Sequence, residues 1–109
     1  MKLNPKLNDG MYEFKNWDGK NFPENAIVMF KEKEGTTIIV PTFVEADAWA
    51  WITCMAETAL TDVGITAKFS KELSDAGISC NVFAPIHHDH IFVPWDRRGE
   101  AVNILDELD

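Results

Sequence analysis

The stretch TDVGITAKFSKELSDAGISC, residues 61–80, decides the fold. It predicts a helix over residues 62–76, because apolar residues recur there every three or four positions and form one buried stripe. The stripe consists of Ile65, Phe69, Leu73 and Ala76. Thr61 fits the N-cap of this helix, and Gly77 stands where a glycine commonly ends one. We therefore expect a strand to open just after Gly77.

The second half of the chain predicts an alternation of strands and helices. Its predicted elements are a strand at 50–56, the helix at 62–76, strands at 78–84 and 90–95, and a helix at 97–108 that Asp96 caps. This order begins a ferredoxin-like βαββαβ unit, an α+β arrangement in which two helices cover one face of an antiparallel sheet. No fourth strand follows, so we expect another strand to pair with the open sheet edge.

The first half of the chain is rich in predicted strands and poor in predicted helix. Alternation predicts a strand at residues 11–17, and residues 26–40 predict a β-hairpin that turns at Glu34-Gly35. Residues 42–47 could form one or two helical turns. We interpret residues 1–47 as a reduced copy of the unit at residues 48–109. We expect two interleaved units that share one core, and dimerisation through the same edges is the alternative.

Several segments carry a resemblance to a known family. Thr61-Asp62-Val63-Gly64-Ile65, followed by Gly77-Ile78-Ser79-Cys80, resembles the signature of ACT domains, in which two glycines are also 13 residues apart. The segments at residues 30–35, 63–66, 77–82 and 88–94 are together similar to a group of small bacterial proteins with two ACT units in tandem. Thr61 and Val63 stand where ACT domains usually carry Asp and Pro.

The resemblance implies a fold of ACT type and a regulatory module that binds an amino-acid-like small molecule without catalysis. It implies a ligand site where the strand meets the helix, with the residues Thr61, Asp62, Val63, Gly64, Ile65 and Asn81. A glycine at this junction lets a ligand approach the backbone, and the free N–H groups of a first helical turn attract a carboxylate.

The roles within this site leave two interpretations open. In the functional one, Asp62 or Thr61 contacts a ligand amine or hydroxyl, and Asn81 adds an amide donor and acceptor. In the structural one, Gly64 only permits close helix packing and Thr61 only caps the helix.

The cluster His87-His88-Asp89-His90 invites a metal or acid–base interpretation. On a strand, His88 and His90 share one face and Asp89 points away, so the cluster does not converge on one point. We interpret it as a hairpin connection in which Asp89 stabilises the turn. We expect no metal, no other cofactor and no catalytic residue.

The composition of the chain argues against nucleic-acid and membrane partners. The chain has 109 residues, with 18 acidic and 10 basic side chains and a formal net charge of −8, which argues against a nucleic-acid partner. No apolar run approaches the roughly 20 residues of a membrane helix. We therefore expect a cytoplasmic protein with no membrane partner. Cys54 and Cys80 lie in apolar runs and predict reduced, packed thiols.

Four tryptophans, Trp17, Trp49, Trp51 and Trp95, are many for a chain of this length. Indoles usually fill cores or interfaces, so we expect them at a seam between the two units or in a homodimer interface. This leaves a second possible function, a protein–protein interaction module with no ligand, in which sheet edges and tryptophans mediate assembly.

Overall fold

The computed structural model describes residues 2–108, which form one antiparallel sheet with two helices against part of it. The strands are β1 (Pro5–Leu7), β2 (Met11–Asn16), β3 (Val28–Lys31), β4 (Thr36–Thr42), β5 (Trp49–Cys54), β6 (Asn81–Phe83) and β7 (Asp89–Pro94). The helices are α1 (Ile65–Asp75) and α2 (Arg98–Asp106), and a 3₁₀ turn at Trp95–Arg97 precedes α2. The outer ends of the two expected units, residues 1 and 109, lie outside the described residues.

The sheet order is β3-β4-β2-β5-β7-β6, and β1 pairs with β5 beside β2. Pro5 lies opposite Cys54, whereas β2 meets β5 only where Tyr12 faces Trp49. β1 therefore supplies the strand expected at the open edge, and it comes from the start of the chain. This strand is not predicted from the sequence, because Pro5-Lys6-Leu7 is too short to show alternation.

A helix-side core fills the space between α1, α2 and the strands β5 and β7. Alternate strand residues point toward the helices, as a period of two requires. The buried members are Leu3, Ala50, Ile52, Cys54, Phe69, Leu73, Ile78, Ile91, Val93, Ala101 and Leu105. The apolar stripe expected on α1 is confirmed, since Phe69 and Leu73 are fully buried and Ile65 and Ala76 pack against them.

Helix α1 is confirmed as an element, but its first turn differs from the expectation. The N-cap is Gly64, with φ of 88°, and no side chain caps the helix. The prediction of Thr61 as N-cap is wrong, because a turn in which the Asp62 N–H donates to the Ala59 carbonyl at 3.0 Å intervenes. The prediction of Gly77 as the terminating glycine is confirmed: its φ is 74°, and its N–H donates to the Ser74 carbonyl at 2.9 Å.

Two other local predictions are wrong. Residues 42–47 form no helical turn, because β4 continues to Thr42 and Asp47 has φ of 61°, which a right-handed helix excludes. Asp96 does not cap α2, because it lies inside the 3₁₀ turn and Arg97 occupies the N-cap. The β-hairpin is confirmed, with strands β3 and β4.

A second, aromatic core lies on the sheet face opposite the helices. Its buried members are Tyr12, Ile39 and Phe92, with Phe14, Ile27, Val28, Trp49, Trp51 and Phe83 packed against them. Strands from both halves of the chain contribute, and Phe14 packs on Trp49 with ring centroids 5.3 Å apart. The expectation that tryptophans pack at the seam between the halves is thus confirmed for Trp49. Within residues 2–108, neither helix is long and apolar enough to cross a membrane.

Candidate functional site

The turn before α1 is exposed and has no side-chain cap. A Cβ atom placed on Gly64 would meet nothing within 4 Å, so this glycine is not required for close packing. It is required by its positive φ, which side chains of L-residues rarely adopt. The first N–H groups of any helix lack intrahelical partners, and no side chain caps them here. Both parts of the structural interpretation, packing by Gly64 and capping by Thr61, are therefore wrong.

A small pocket of about 70 Å³, which we name the junction pocket, adjoins this turn. Its lining residues are Thr58, Ala59, Leu60, Asp62, Ile65, Thr66, Ala84, Pro85 and Asp89. Of the expected site residues, Asp62 and Ile65 thus line it.

The other expected site residues lie outside the junction pocket. Thr61, Val63 and Gly64 are exposed on the loop beside it, and Val63 is 95% exposed. Asn81 is also exposed, and it lies three residues before Ala84, at the far end of β6. The structure therefore gathers the loop residues around the pocket and leaves Asn81 apart.

Asp89 is the second carboxylate of the junction pocket, and it was not among the expected site residues. It begins β7 and is only 6% exposed, on the same side of the strand as Ile91 and Val93. Burial raises the pKa of its carboxyl; the electrostatic interaction with neighbouring His90 lowers it, and the charge of Asp62 raises it further. Asp89 alternates with Ile91 and Val93, and this pattern could have predicted its burial. The polar residues beside it, His87, His88 and His90, obscured the pattern.

The side chains of the cluster His87-His88-Asp89-His90 do not form a metal site among the described residues. Among residues 2–108, no three His, Cys, Asp or Glu side chains lie in an arrangement that could hold a metal ion. His88 has a buried Nδ1 with no hydrogen-bond partner, and His90 lies on the opposite side of β7 from Asp89. Both cysteines are free; burial and the charge of Asp89 raise the pKa of Cys54 to about 11, and burial raises the pKa of Cys80.

A larger groove of about 470 Å³ runs over the aromatic core, and we name it the aromatic groove. Its lining residues are Ile27, Val28, Met29, Phe30, Trp51, Phe83, Ala84, Pro85, His90 and Phe92. β3 and β6 are the two outer strands of the sheet order, yet both contribute to the lining. The sheet must therefore curl until its edges approach each other over this face.

The floor of the aromatic groove is a set of packed rings. Trp51 and Phe92 are nearly parallel, with an interplanar angle of 15° and centroids 6.3 Å apart. Phe83 meets Phe92 edge to face at 5.8 Å, and Tyr12 meets Trp51 in the same way at 5.5 Å. Such offset and edge-on contacts suit the charge distribution of aromatic rings, so the floor is well ordered by its own packing.

A chain of hydrogen bonds fixes His90 at the wall of the groove. The Trp51 indole N–H donates to His90 Nδ1 at 3.0 Å, and Thr53 Oγ1 lies 3.1 Å from the same nitrogen. Asn8 Nδ2 donates to Thr53 Oγ1 at 2.9 Å. Burial lowers the pKa of His90; the charge of His88 lowers it further and that of Asp89 raises it. The lowered pKa and the indole N–H that Nδ1 accepts both favour the neutral ring.

Comparisons with known proteins support the family resemblance. One family model described as an ACT domain matches residues 45–107, and a second, also described as an ACT domain, matches residues 1–51. No curated protein matches the chain significantly.

Two solved structures share the architecture. A Vibrio cholerae protein of unknown function, titled a possible transport protein, is 30% identical with a TM-score of 0.86, and the alignment covers 99% of this chain and 90% of that one. An Agrobacterium tumefaciens protein is 17% identical with a TM-score of 0.73, over 96% of this chain and 87% of that one. The first of these family models matches more than half of the residues of this chain, and the second matches its N-terminal part. This chain therefore belongs to the ACT-domain family.

Proposed function

We propose that this protein is a non-catalytic regulatory module that binds an amino acid or a close analogue at the junction pocket. ACT domains are generally regulatory modules that bind small molecules. The observation that carries the proposal is the uncapped first turn of α1, which lies beside the carboxylates of Asp62 and Asp89. An amino acid has a carboxylate for the free amides of this turn and an ammonium group for the two carboxylates.

The two ends of an amino acid fit two different parts of the junction. Its carboxylate accepts hydrogen bonds from the amides that follow Gly64, where the helix dipole favours negative charge. Its ammonium group lies between Asp62 and Asp89, whose mutual repulsion a positive charge relieves. The small volume suits the head group, so the ligand side chain extends out of the pocket past Thr61 and Val63.

A thermal-shift screen of the twenty amino acids tests this proposal. A ligand that binds only the folded state adds about 2.7 kcal/mol at 100 times its Kd, so one amino acid should raise Tm at millimolar concentration. Asp62→Asn and Asp89→Asn should abolish the shift, and Asp106→Asn, an exposed carboxylate on α2, should retain it. No shift with any amino acid would contradict the proposal.

Asp89→Asn also separates loss of binding from loss of folding. Because burial raises the pKa of Asp89, a neutral amide should raise the Tm of the ligand-free protein at pH 7. A variant that is more stable and no longer responds to the amino acid has lost the site and kept the fold.

We further propose a homodimer that covers the loop around the junction. Leu60, Val63 and Ile86 are large apolar residues that are mostly exposed there. Val63→Lys should convert the dimer to a monomer in light scattering, and Phe43→Lys, at a residue that is 99% exposed elsewhere, should not. If Val63→Lys disrupts assembly and no amino acid binds, an interaction module without a ligand is the better description.

The chemistry of the cysteines supports a non-catalytic role in the cytoplasm. Thiolates are the nucleophilic form of cysteine, and raised pKa values keep Cys54 and Cys80 protonated at pH 7. Free thiols also persist in reducing compartments.

A further inference from the structure

We infer that the aromatic groove is a second ligand site, specific for a flat, uncharged aromatic molecule that carries a hydrogen-bond acceptor. It lies on the sheet face opposite the helices; Ala84 and Pro85 line both sites, but Asp62 and Asp89 line only the junction pocket, and the groups invoked below, the aromatic floor and His90, line only the groove. The inference is therefore independent of the proposed amino-acid site. Three features of the groove support a ligand: its size, the chemistry of its lining and the tautomer of His90.

The size and shape of the groove suit a small molecule. Its volume of about 470 Å³ falls within the roughly 300–1,000 Å³ of typical ligand pockets. Both outer strands of the sheet line it, so the surface is concave. A concave apolar surface of this size surrounds a small molecule more completely than it fits the broad surface of another folded protein.

The lining excludes a charged ligand. No Asp, Glu, Lys or Arg side chain lines the groove, and the floor consists of the rings of Trp51, Phe83 and Phe92. A charged group moved from water into this lining would lose hydration and gain no partner of opposite charge. Flat aromatic ligands instead add ring contacts of the kind that the floor already makes.

The tautomer of His90 selects for a hydrogen-bond acceptor. An indole N–H only donates, so Trp51 requires His90 Nδ1 to accept, and the proton of the neutral ring then lies on Nε2. The Thr53 hydroxyl oxygen accepts from the Asn8 amide, so its own hydrogen can also point to Nδ1, which is compatible with this tautomer. Nε2–H takes part in no hydrogen bond described for residues 2–108. Since His90 lines the groove, this N–H is the donor that we expect a ligand acceptor to meet.

A pair of matched probes, quinoline and naphthalene, tests this inference by isothermal titration calorimetry. The two molecules have the same shape, and only quinoline has an acceptor nitrogen. The wild-type protein should bind quinoline roughly 2- to 12-fold more tightly, the range of one neutral hydrogen bond. His90→Phe should remove this preference and leave naphthalene binding in place, and His90→Gln, which restores a donor and an acceptor, should recover part of it.

Two exposed phenylalanines provide a matched test of location. Phe30 lines the groove and is 60% exposed, whereas Phe43 lies outside it and is 99% exposed. Phe30→Ala should weaken both probes, and Phe43→Ala should weaken neither.

Three results would overturn the inference. They are no saturable binding of either probe to the wild type, equal affinity of the wild type for both probes, and a dimer that excludes both probes and dissociates on Phe30→Ala. The last result would assign the groove to a second copy of the chain.

Discussion

The two faces of the sheet are built from different residues and differ in how completely they are covered. The face against α1 and α2 is packed with aliphatic side chains and Phe69, nearly all of them fully buried. The opposite face carries the aromatic core, which no helix among residues 2–108 covers, and a groove remains over it. We therefore expect the helix side to contribute more to stability, whereas the aromatic side keeps part of its surface uncovered.

The largest expected effect is on the helix side. Phe69 is fully buried between α1 and the sheet, so Phe69→Ala should lower the free energy of unfolding by about 3–5 kcal/mol. Phe30→Ala on the aromatic side should cost less than about 0.5 kcal/mol, because its ring is mostly exposed. Chemical denaturation measures both, and similar losses would erase the distinction between the two faces.

The next effect tests the contribution of the N-terminal segment to the helix side. Leu3 is 3% exposed within the helix-side core, so Leu3→Ala should cost about 2–5 kcal/mol. Leu7→Ala, at an exposed position in β1, is the matched control and should change stability little. Urea melts compare the two. If Leu3→Ala behaves like Leu7→Ala, the N-terminal segment is not part of this core.

A smaller effect concerns the junction at the edge of the helix side. Gly64→Ala should cost about 1–2 kcal/mol, because its φ of 88° strains a residue with a side chain. Gly99→Ala in α2 should instead gain up to about 1 kcal/mol, since its φ is not positive and nothing lies within 4 Å of the added carbon. Thermal unfolding measures the stability of both variants. If Gly99→Ala also loses stability, the loss in Gly64→Ala is not specific to its positive φ.

The smallest effect is a pH dependence on the aromatic side. The folded pKa of His90 lies below 6.5, so its contribution to stability is complete above pH 6.5 and is lost as the pH falls through the folded pKa. Between the folded and unfolded pKa values, His90 binds a proton in the unfolded chain and not in the folded one, so a lower pH favours unfolding.

The measurement is the difference in unfolding free energy between wild type and His90→Gln. Comparison with the variant reduces the opposite contribution of Asp89, whose raised pKa favours the folded state as the pH falls and which both proteins retain. The wild type should lose stability relative to the variant below pH 6.5. Parallel curves for the two proteins would show that His90 is not held in its neutral form.

Local patterns predicted much of the fold and part of the candidate site. The stripe on α1 and the terminating Gly77 were evident because each depends on residues within one or two turns. The junction at Gly64 followed from the resemblance to ACT domains, and Asp62 and Ile65 do line the pocket beside it. Asp89 was missed as a site residue, because its neighbours suggested a polar turn and its burial depends on packing against α1 and β5.

The sequence by itself determined the two helices, most of the strands and the apolar side of each, because these follow from spacing along the chain. Only the tertiary structure decided that β1 completes the sheet beside β5, and that β3 and β6 line one groove. It also decided the tautomer of His90, through a bond from Trp51, 39 residues away. These features arise from contacts between distant residues, and the curl and pairing of a sheet are set by all of its strands together rather than by a pattern within any one.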